Sequence, residues 1–474
     1  MAAGRGYDQA LKALGSLISG RRRPDGKSWT DAFEAMPVYL ERLGLRERLG
    51  LLSVIHVAGT KGKGSTCSMA ESILRRAGYK TGLFTSPHLV DVRERIRIGG
   101  RPCEKETFLR NFWVVWDKLE SNQTETVGMP AYFRFLTLLG FQIFLDEGVD
   151  VAVIEVGVGG RLDATNVLER PKVSGVASLG FDHTALLGNT LREIAAEKAG
   201  IFKPGVPAFT VPQEQEAMDS LGAVAERVGT PLVRVPALSE YAAAGGRPVR
   251  VGLEGKHQET NAALAVALCQ MWEAQRASAT DEDYRRQTAA CLGADKALSE
   301  AYLEGLAQAR WPGRSQVVRD AHEGNLTFFL DGAHTPESVV ACGRWFAEAA
   351  SADAERVMVF HCMDERDHRL LLSKLHAALE GAGVGLAHAL FVPLNSSLES
   401  LKKYGEVNTA WTHELESASR ECSPGLPSDA LGSIDAAVAW LRERAGGGRK
   451  VEVLVTGSLY LVGDVLKNLE VDLE

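Results

Sequence analysis

The sequence predicts an α/β protein of two domains, and three observations carry that expectation. Apolar runs of strand length recur along the 474 residues, with helix-patterned segments between them, which is the rhythm of a mostly parallel sheet. The chain is too long for one hydrophobic core, since such cores stop growing at about 250–300 residues. Trp311-Pro312-Gly313-Arg314 is the clearest punctuation in the chain and marks the expected boundary, giving domains at 1–311 and 312–474.

In the first domain an apolar strand candidate, Leu51 to Ala58, runs into the loop GTKGKGS (Gly59 to Ser65). A helix follows whose Met69, Ala70, Ile73, Leu74 and Ala77 keep helical spacing. Strand, glycine loop and helix start make a phosphate cradle. Gly59, Gly62 and Gly64 let backbone N–H groups converge with that of Thr60 on an anion, and the helix N-terminus adds partial positive charge. Lys63 reaches the outer phosphates, and Ser65 or Thr66 offers a hydroxyl. The expected guest is a nucleoside triphosphate. The strict GxxxxGK[ST] pattern is not met, because Val57 stands at its first glycine and Gly64 follows Lys63. The first domain is therefore expected to be a P-loop-type ATPase domain of non-generic kind, and the second a smaller Rossmann-like α/β domain.

Composition narrows the function classes. An apolar share of 45% and a charged share of 24% are ordinary globular values, and no apolar run is long enough to suggest a membrane span. Net charge is −8 with no long block of one sign, which argues against a nucleic-acid surface. Arg21-Arg22-Arg23 is the one basic cluster, read as solvated or as a lip near an anionic ligand. Seven scattered cysteines without a CxxC pair fit reduced thiols rather than a disulfide frame or zinc site, and no secretory signal opens the chain. A cytoplasmic protein is expected, with a mitochondrial isoform as an option.

Taken in order, the chain begins with an amphipathic helix (Tyr7, Leu11, Leu14, Leu17, Ile18), a turn-rich loop at 20–30 and a second helix at about Asp31 to Leu43. After the phosphate-loop helix, Gly78 is a C′ glycine and Tyr79 to Thr85 the next strand, ending in Ser86. Arg93, Arg95 and Arg97 alternate as on a strand edge and read either as a polar face or as a carboxylate-binding surface. Ala131 to Asp146 is almost wholly apolar and predicts a buried helix. Val149 to Val156 is a buried strand whose Glu155 lies at its carboxyl end, where α/β proteins place ligand and metal groups; a structural acid is the alternative. Val173 to Leu179 is a strand, with His183 in the loop after it. Thr190 and Glu193 predict a capping box, Gly200 closes that helix, and Lys198 in its last turn complements the helix dipole. Asn261 opens an apolar helix, as its cap or as a contact to an adenine ring.

The second domain offers strands at Leu326 to Leu330, Arg356 to His361, Ala387 to Val392 and Val451 to Val455. Asp331 and His334 sit at a strand end, with Thr335 and Pro336 starting a helix in cap and N1 order. The looser stretch 396–432 predicts surface loops.

GTKGKGST, TSPHLVDVRERIRI, PAYFRFLT, IEVGVGGRLDATN, DHTALLGNT, EKAGIFKPG, WPGR and LDGAHTPES occur in this order over nearly the whole chain. Together they resemble the folylpolyglutamate synthase family of the Mur-ligase superfamily, whose members are ATP-dependent amide-forming enzymes. The resemblance implies that ATP phosphorylates the γ-carboxylate of a tetrahydrofolate or folylpolyglutamate and that L-glutamate attacks the acyl phosphate. It implies that Gly62, Lys63, Gly64 and Ser65 hold the triphosphate, and that Ser86, Glu155 and His183 bind Mg2+, with a monovalent cation such as K+ as an option. It implies a carbamylated Lys198, nucleotide contacts from Asn261, Arg314, Asp331 and His334, and glutamate near Asp331, His334 and Ser458. No nucleic acid or membrane partner is implied, and a monomer is expected. FHCMDERD (360–367) departs from the FNxTGxRD of eukaryotic relatives, although Arg366 and Asp367 persist. Rival readings are a dihydrofolate synthase or bifunctional enzyme, a cell-wall Mur ligase and a nucleotide-dependent switch.

Overall fold

The computed structural model describes residues 5–18, 33–243, 248–277, 297–395 and 409–471. The chain divides into two compact units. Unit 1 holds residues up to Ser86, Arg93–Gly252 and Lys256–Arg310; unit 2 holds Pro87–Val92, Leu253–Gly255 and the chain from Trp311 onward.

Unit 1 is built on eight strands: β1 (Val54–Ala58), β2 (Thr81–Phe84), β3 (Ile96–Ile98), β4 (Arg101–Pro102), β5 (Val151–Glu155), β6 (Val173–Val176), β7 (Ala208–Thr210) and β8 (Leu232–Arg234). Their order is β4-β3-β2-β5-β1-β6-β7-β8, with β3 antiparallel to both of its neighbours, β2 and β4, and every other pairing parallel. A parallel sheet is covered on both faces, so its strands are continuous apolar runs; all five residues of β1 and of β5 are buried. Two short strands, β9 (Ala242–Ala243) and β10 (Ala297–Leu298), pair apart from this sheet. The phosphate-loop helix (Lys63–Arg76) packs against the helices His257–Ala277 and Glu300–Gln308. At the second crossing, Ser72 donates to Gly305 O at 2.7 Å, and a Cβ on Gly305 would come within 2.5 Å of Ile73 Cα. Glycine is the only residue that lets the two backbones approach so closely.

Unit 2 carries β11 (Gln316–Arg319), β12 (Leu326–Leu330), β13 (Glu355–Phe360), β14 (His388–Phe391), β15 (Ser428–Ala430) and β16 (Val451–Thr456), in the order β11-β12-β16-β13-β14-β15. Only β11 is antiparallel. The period-two alternation of strands divides the core into two layers. Leu326, Phe328, Leu330, Val357, Val359, Val453 and Val455 face one layer, which also takes in Leu89. Phe329, Met358, Phe360, Phe391 and Leu454 face the other.

Several expectations are met closely. The helix Tyr132–Glu147 is buried along Phe135–Phe144, Gly78 is left-handed at φ 92°, and Thr190 and Glu193 form the capping box. Others are corrected. In the first helix, Ala10 and Leu14 are the buried residues, and Leu11 is exposed. Leu51 precedes β1 in a 3₁₀ turn (Arg48–Leu51) and is 78% exposed. Arg93 and Arg95 lie in a 3₁₀ turn (Val92–Arg95) and not on the strand, which starts at Ile96. Arg95 and Arg97 are also buried rather than displayed: Arg95 lies over the Tyr132 ring, and Arg97 donates to Gly100 O. Gly200 does not close its helix with a left-handed turn; a 3₁₀ turn (Ala199–Ile201) continues it. The helix of Asn261 starts at His257, so Asn261 is inside it and caps nothing. The 396–432 stretch contains a helix (Thr409–Cys422) and β15 where loops are expected, and β11 is a further unforeseen strand. The 20–30 loop, Arg21–Arg23, Cys291 and residues 396–408 lie outside the described residues. The six described cysteines are free thiols.

Candidate functional site

β1 is the strand about which unit 1 reverses: the chain leaves it for β2 on one side, and β6 lies on the other. The loop after such a strand is the usual ligand crevice of an α/β sheet. Gly59 (φ 150°) passes so close to Ala177 that a Cβ there would lie 2.9 Å from the alanine methyl. Thr60 and Lys61 N–H both donate to Ser178 O, at 2.9 and 3.0 Å. Gly62 (φ 82°) is the N-cap of the helix, and a Cβ on it would fall 2.1 Å from Asn261 Oδ1. The loop is therefore tied at one end to Ser178, just after β6, and passes close against Asn261 at the other. The helical ladder begins with Thr66 N–H to Gly62 O, leaving the N–H groups of residues 63–65 ahead of it at the positive end of the dipole. Thr66 Oγ1 is buried without a partner.

Two lysines share one carbonyl in this loop. Lys63 Nζ donates to Gly59 O at 3.0 Å and to Thr60 O at 3.4 Å, while Lys198 Nζ reaches the same Gly59 O at 2.9 Å. Lys198 is 3% exposed. Burial, and then the charge of Lys63, push its ammonium down to about 7, against the opposing pull of Asp182. Backbone contact fixes the end of its helix: a Cβ on Gly160 would lie 2.7 Å from Lys198 O, and one on Gly200 would lie 2.5 Å from Arg161 Cα. Asn166 Nδ2 bridges Arg161 O and Gly200 O, both at 3.0 Å.

Glu155 ends β5, opposite Val57 of β1, and is 4% exposed; its Oε2 accepts the Ser86 N–H at 2.9 Å. Beyond it, Asp163 holds the following turn by accepting Val158 N–H (3.0 Å), Thr165 N–H (2.9 Å) and the Thr165 hydroxyl (2.6 Å). Thr165 Oγ1 in turn meets Nε2 of the buried His56 at 2.8 Å. His183 is left-handed (φ 51°), a conformation that costs a non-glycine residue about 1 kcal/mol or more and clusters at functional sites. Its neighbour Asp182 pairs with Lys61 at 3.5 Å.

In unit 2, Asp331 follows β12, and its Oδ2 accepts the Ser315 N–H at 2.8 Å; Ser315 is itself left-handed (φ 43°). Arg314 donates to Gly313 O at 3.2 Å, and His334 Nδ1 lies 2.9 Å from Gly332 O. Thr335 caps the helix Pro336–Ala349 as expected, and Ser458, after β16, caps Leu459–Asn468. Asp331 and Ser458 therefore stand at the carboxyl ends of adjacent parallel strands.

Residues 57–269 match the Mur ligase middle domain. Along 98% of its length the chain is 41% identical to a folylpolyglutamate synthase of Arabidopsis thaliana, covering 88% of it. It is 38% identical to the mitochondrial folylpolyglutamate synthase of Homo sapiens, covering 98% of this chain and 92% of that one. The chain belongs to the folylpolyglutamate synthase family. Solved structures agree with this membership. The Mycobacterium tuberculosis folylpolyglutamate synthase complexed with ADP superposes at a TM-score of 0.75 with 25% identity, over 98% of this chain and 99% of that one. E. coli FolC in complex with DHPP and ADP superposes at 0.68 with 26% identity, over 94% and 98%.

The folylpolyglutamate synthase membership places the imperfect phosphate loop in its own kind. All the sequence-predicted residues of unit 1, from Gly59 to Asn261, fall inside the matched middle domain. The structure joins Lys63 and Lys198 through Gly59, Gly62 to Asn261, and Ser86 to Glu155. His183 adjoins the loop through its neighbour Asp182. No group of three or more His, Cys, Asp or Glu side chains able to hold a metal stands among the described residues. One carboxylate, one imidazole and one serine hydroxyl are a smaller set of that kind. The buried Glu155 carboxylate and the orphaned Thr66 hydroxyl are hard oxygen groups of the kind that Mg2+ takes as ligands. Sequence reasoning missed Asp182, Asp163 and the Gly160–Lys198 contact. The glycines of IEVGVGGRLDATN were a signal for the last.

Proposed function

We propose that the chain is an ATP-dependent ligase that joins L-glutamate, in γ-linkage, to tetrahydrofolate and its polyglutamates. The observation that carries this reading is the convergence of Lys63 and Lys198 on Gly59 O within a loop whose following helix N–H groups point ahead of their ladder. Lys63 and the helix N–H groups ahead of the ladder make an anion-binding loop, in a chain similar along nearly its whole length to folylpolyglutamate synthases.

In the first step an oxygen of the substrate γ-carboxylate attacks the γ-phosphorus of ATP, the bond to ADP breaks, and an acyl phosphate forms. In the second, the amino nitrogen of glutamate attacks the acyl carbon, inorganic phosphate leaves with the C–O electron pair, and the nitrogen loses a proton. Positioning and charge neutralisation dominate such chemistry. Lys63 leaves the loop carbonyls for the outer phosphates, the N–H groups of residues 63–65 bind the β-phosphate region, and Asn261 holds Gly62 in place. Ser86, Glu155 and His183 would hold Mg2+, which neutralises phosphate charge. An amine near pH 7 in its titration is available in the neutral form that adds CO2, so Lys198 is suited to carbamylation. Within unit 2, the glutamate-ligase domain, Arg314, Asp331 and His334 would be the nucleotide-binding residues. In this reading the enzyme is a monomer, cytoplasmic with a mitochondrial isoform as an option. No described helix is long and apolar enough to cross a membrane.

Mass analysis after incubation with Mg-ATP, glutamate and tetrahydrofolate tests the reading, and a ladder of glutamate additions is the expected product. A parallel incubation with dihydropteroate tests the second reading, which the likeness to an enzyme solved with DHPP favours. Turnover of dihydropteroate without tetrahydrofolate turnover would replace the first reading by the second.

A further inference from the structure

Gln258 and Asn261 stand about one turn apart on the helix His257–Ala277, which packs against the phosphate-loop helix within unit 1. At i and i+3 their side chains share a helix face. Asn261 Nδ2 donates to Gln258 Oε1 at 2.9 Å, and both residues are buried, Asn261 at 3% exposure and Gln258 at 1%.

A side-chain amide has one donor end and one acceptor end, so a partner for the nitrogen decides where the oxygen points. In Asn261 the oxygen meets the phosphate loop. The Cβ that would lie 2.1 Å from Oδ1 takes the place of a Gly62 Cα–H, so that hydrogen faces an acceptor. Exchanging the two ends of the amide would set N–H against C–H at the same contact. Gly62 is also the residue whose carbonyl accepts the first ladder bond, from Thr66 N–H at 2.8 Å, and its orientation governs where the N–H groups of residues 63–65 point.

Gln258 is a poor residue for packing alone. Its Nε2 is sealed from solvent and has no hydrogen-bond partner among the described residues, a cost that an apolar side chain of similar length does not carry. What such a side chain lacks is Oε1. Methionine at 258 would exchange one orphaned N–H group for another, that of Asn261, and leave stability nearly level.

We propose that Gln258 is a positioning residue for nucleotide binding: by accepting from Asn261 Nδ2 it holds the Asn261 oxygen against Gly62 and keeps the phosphate loop in its anion-binding form. The inference rests on the ligase reading above, in which that loop receives ATP.

Gln258→Met removes the acceptor at nearly constant volume. Backbone amide exchange over Gly59–Thr66, measured on the full chain without nucleotide, is expected to rise about tenfold in Gln258→Met and in Asn261→Ala, with no further rise in the double variant, because Gln258 acts only through Asn261. Calorimetry with Mg-ATP is expected to show about tenfold weaker binding by Gln258→Met, the loss of one hydrogen bond. The KM values for glutamate and tetrahydrofolate should stay within about twofold, and the urea midpoint should barely move. Unchanged exchange or unchanged ATP affinity in Gln258→Met, or effects that add in the double variant, overturn the proposal. Faster exchange along the whole helix His257–Ala277 with a lower urea midpoint also overturns it, since Gln258 would then be a structural residue. Failure of the unsubstituted chain to bind Mg-ATP overturns the ligand assigned to the loop, while the exchange data still decide whether Gln258 orients it.

Discussion

Lys198 illustrates how a single buried cation couples folding to pH. The unfolded chain keeps this proton up to 10.5, whereas the folded chain gives it up above about 7. Between those values the unfolded state binds more protons, so stability rises with pH; below about 7 both states are charged and the full cost of burying the ammonium remains. Stabilities from urea melts of the unsubstituted chain and of Lys198→Met should therefore differ in their dependence on pH. The lysine protein gains stability from about pH 7 to about pH 9, and the methionine protein gains less. Equal gains would show that Lys198 does not titrate there. On the proposed reading, in which the Lys63 ammonium holds the outer phosphates, Lys63→Ala should abolish turnover; near-normal product formation in a coupled ADP assay would remove Lys63 from the chemistry. Glu155→Ala should shift the magnesium titration of activity to higher concentration, and an unchanged titration would leave Glu155 as the acceptor for Ser86 N–H alone. At this scale the sequence was informative about residue type and poor about partners. Lys198 read as a dipole complement because nothing local says that its side chain is buried against Gly59, 139 residues away. Asp182 went unnoticed because its ion pair with Lys61 is equally non-local.

The elements that carry the site were legible where pattern and punctuation agreed. Strand β1, its glycine loop and the following helix come from one continuous stretch, and the Thr335 and Thr190 caps are read directly from side-chain chemistry. Asn261 was misplaced because its helix starts four residues earlier, at His257, without a sequence signal strong enough to move the boundary. The helix Thr409–Cys422 was read as loop because its exposed face is polar and only Thr412, Leu415, Ala418 and Ser419 are buried. Its small apolar stripe matters once it packs in the layer that holds Leu415 and Ala418. Gly62 ties element to function. A methyl there meets Asn261 Oδ1 at 2.1 Å and forces a left-handed φ on a non-glycine residue. Gly62→Ala should cost about 1–3 kcal/mol in urea melts and weaken ATP binding by calorimetry, and unaltered ATP affinity would contradict the cradle.

For the molecule as a whole, the α/β class and mostly parallel sheets were legible because strand-length apolar runs alternate with helices throughout. Strand order was not, since β16 enters between β12 and β13 from far along the chain. Nor was the path of the chain. Leu89, 7% exposed, belongs to the core layer formed by β12, β13 and β16, where Gly463 leaves room for it: a Cβ there would fall 2.2 Å from Leu89 O. Leu89→Ala should destabilise unit 2 by about 2–4 kcal/mol, read as a lower urea midpoint with an unchanged slope. No loss would mean that this segment is dispensable to the layer.

That threading limits how the gene can be divided. A fragment starting at Trp311 contains every strand of the second sheet yet omits Pro87–Val92 and Leu253–Gly255, and with them Leu89 and the carboxylate that receives the Trp345 indole N–H at 3.0 Å. Expressed alone, it would keep its topology on paper and carry an open seam in its core. Circular permutants or co-expressed halves that restore those two short inserts are the way to obtain it as a separate folding unit.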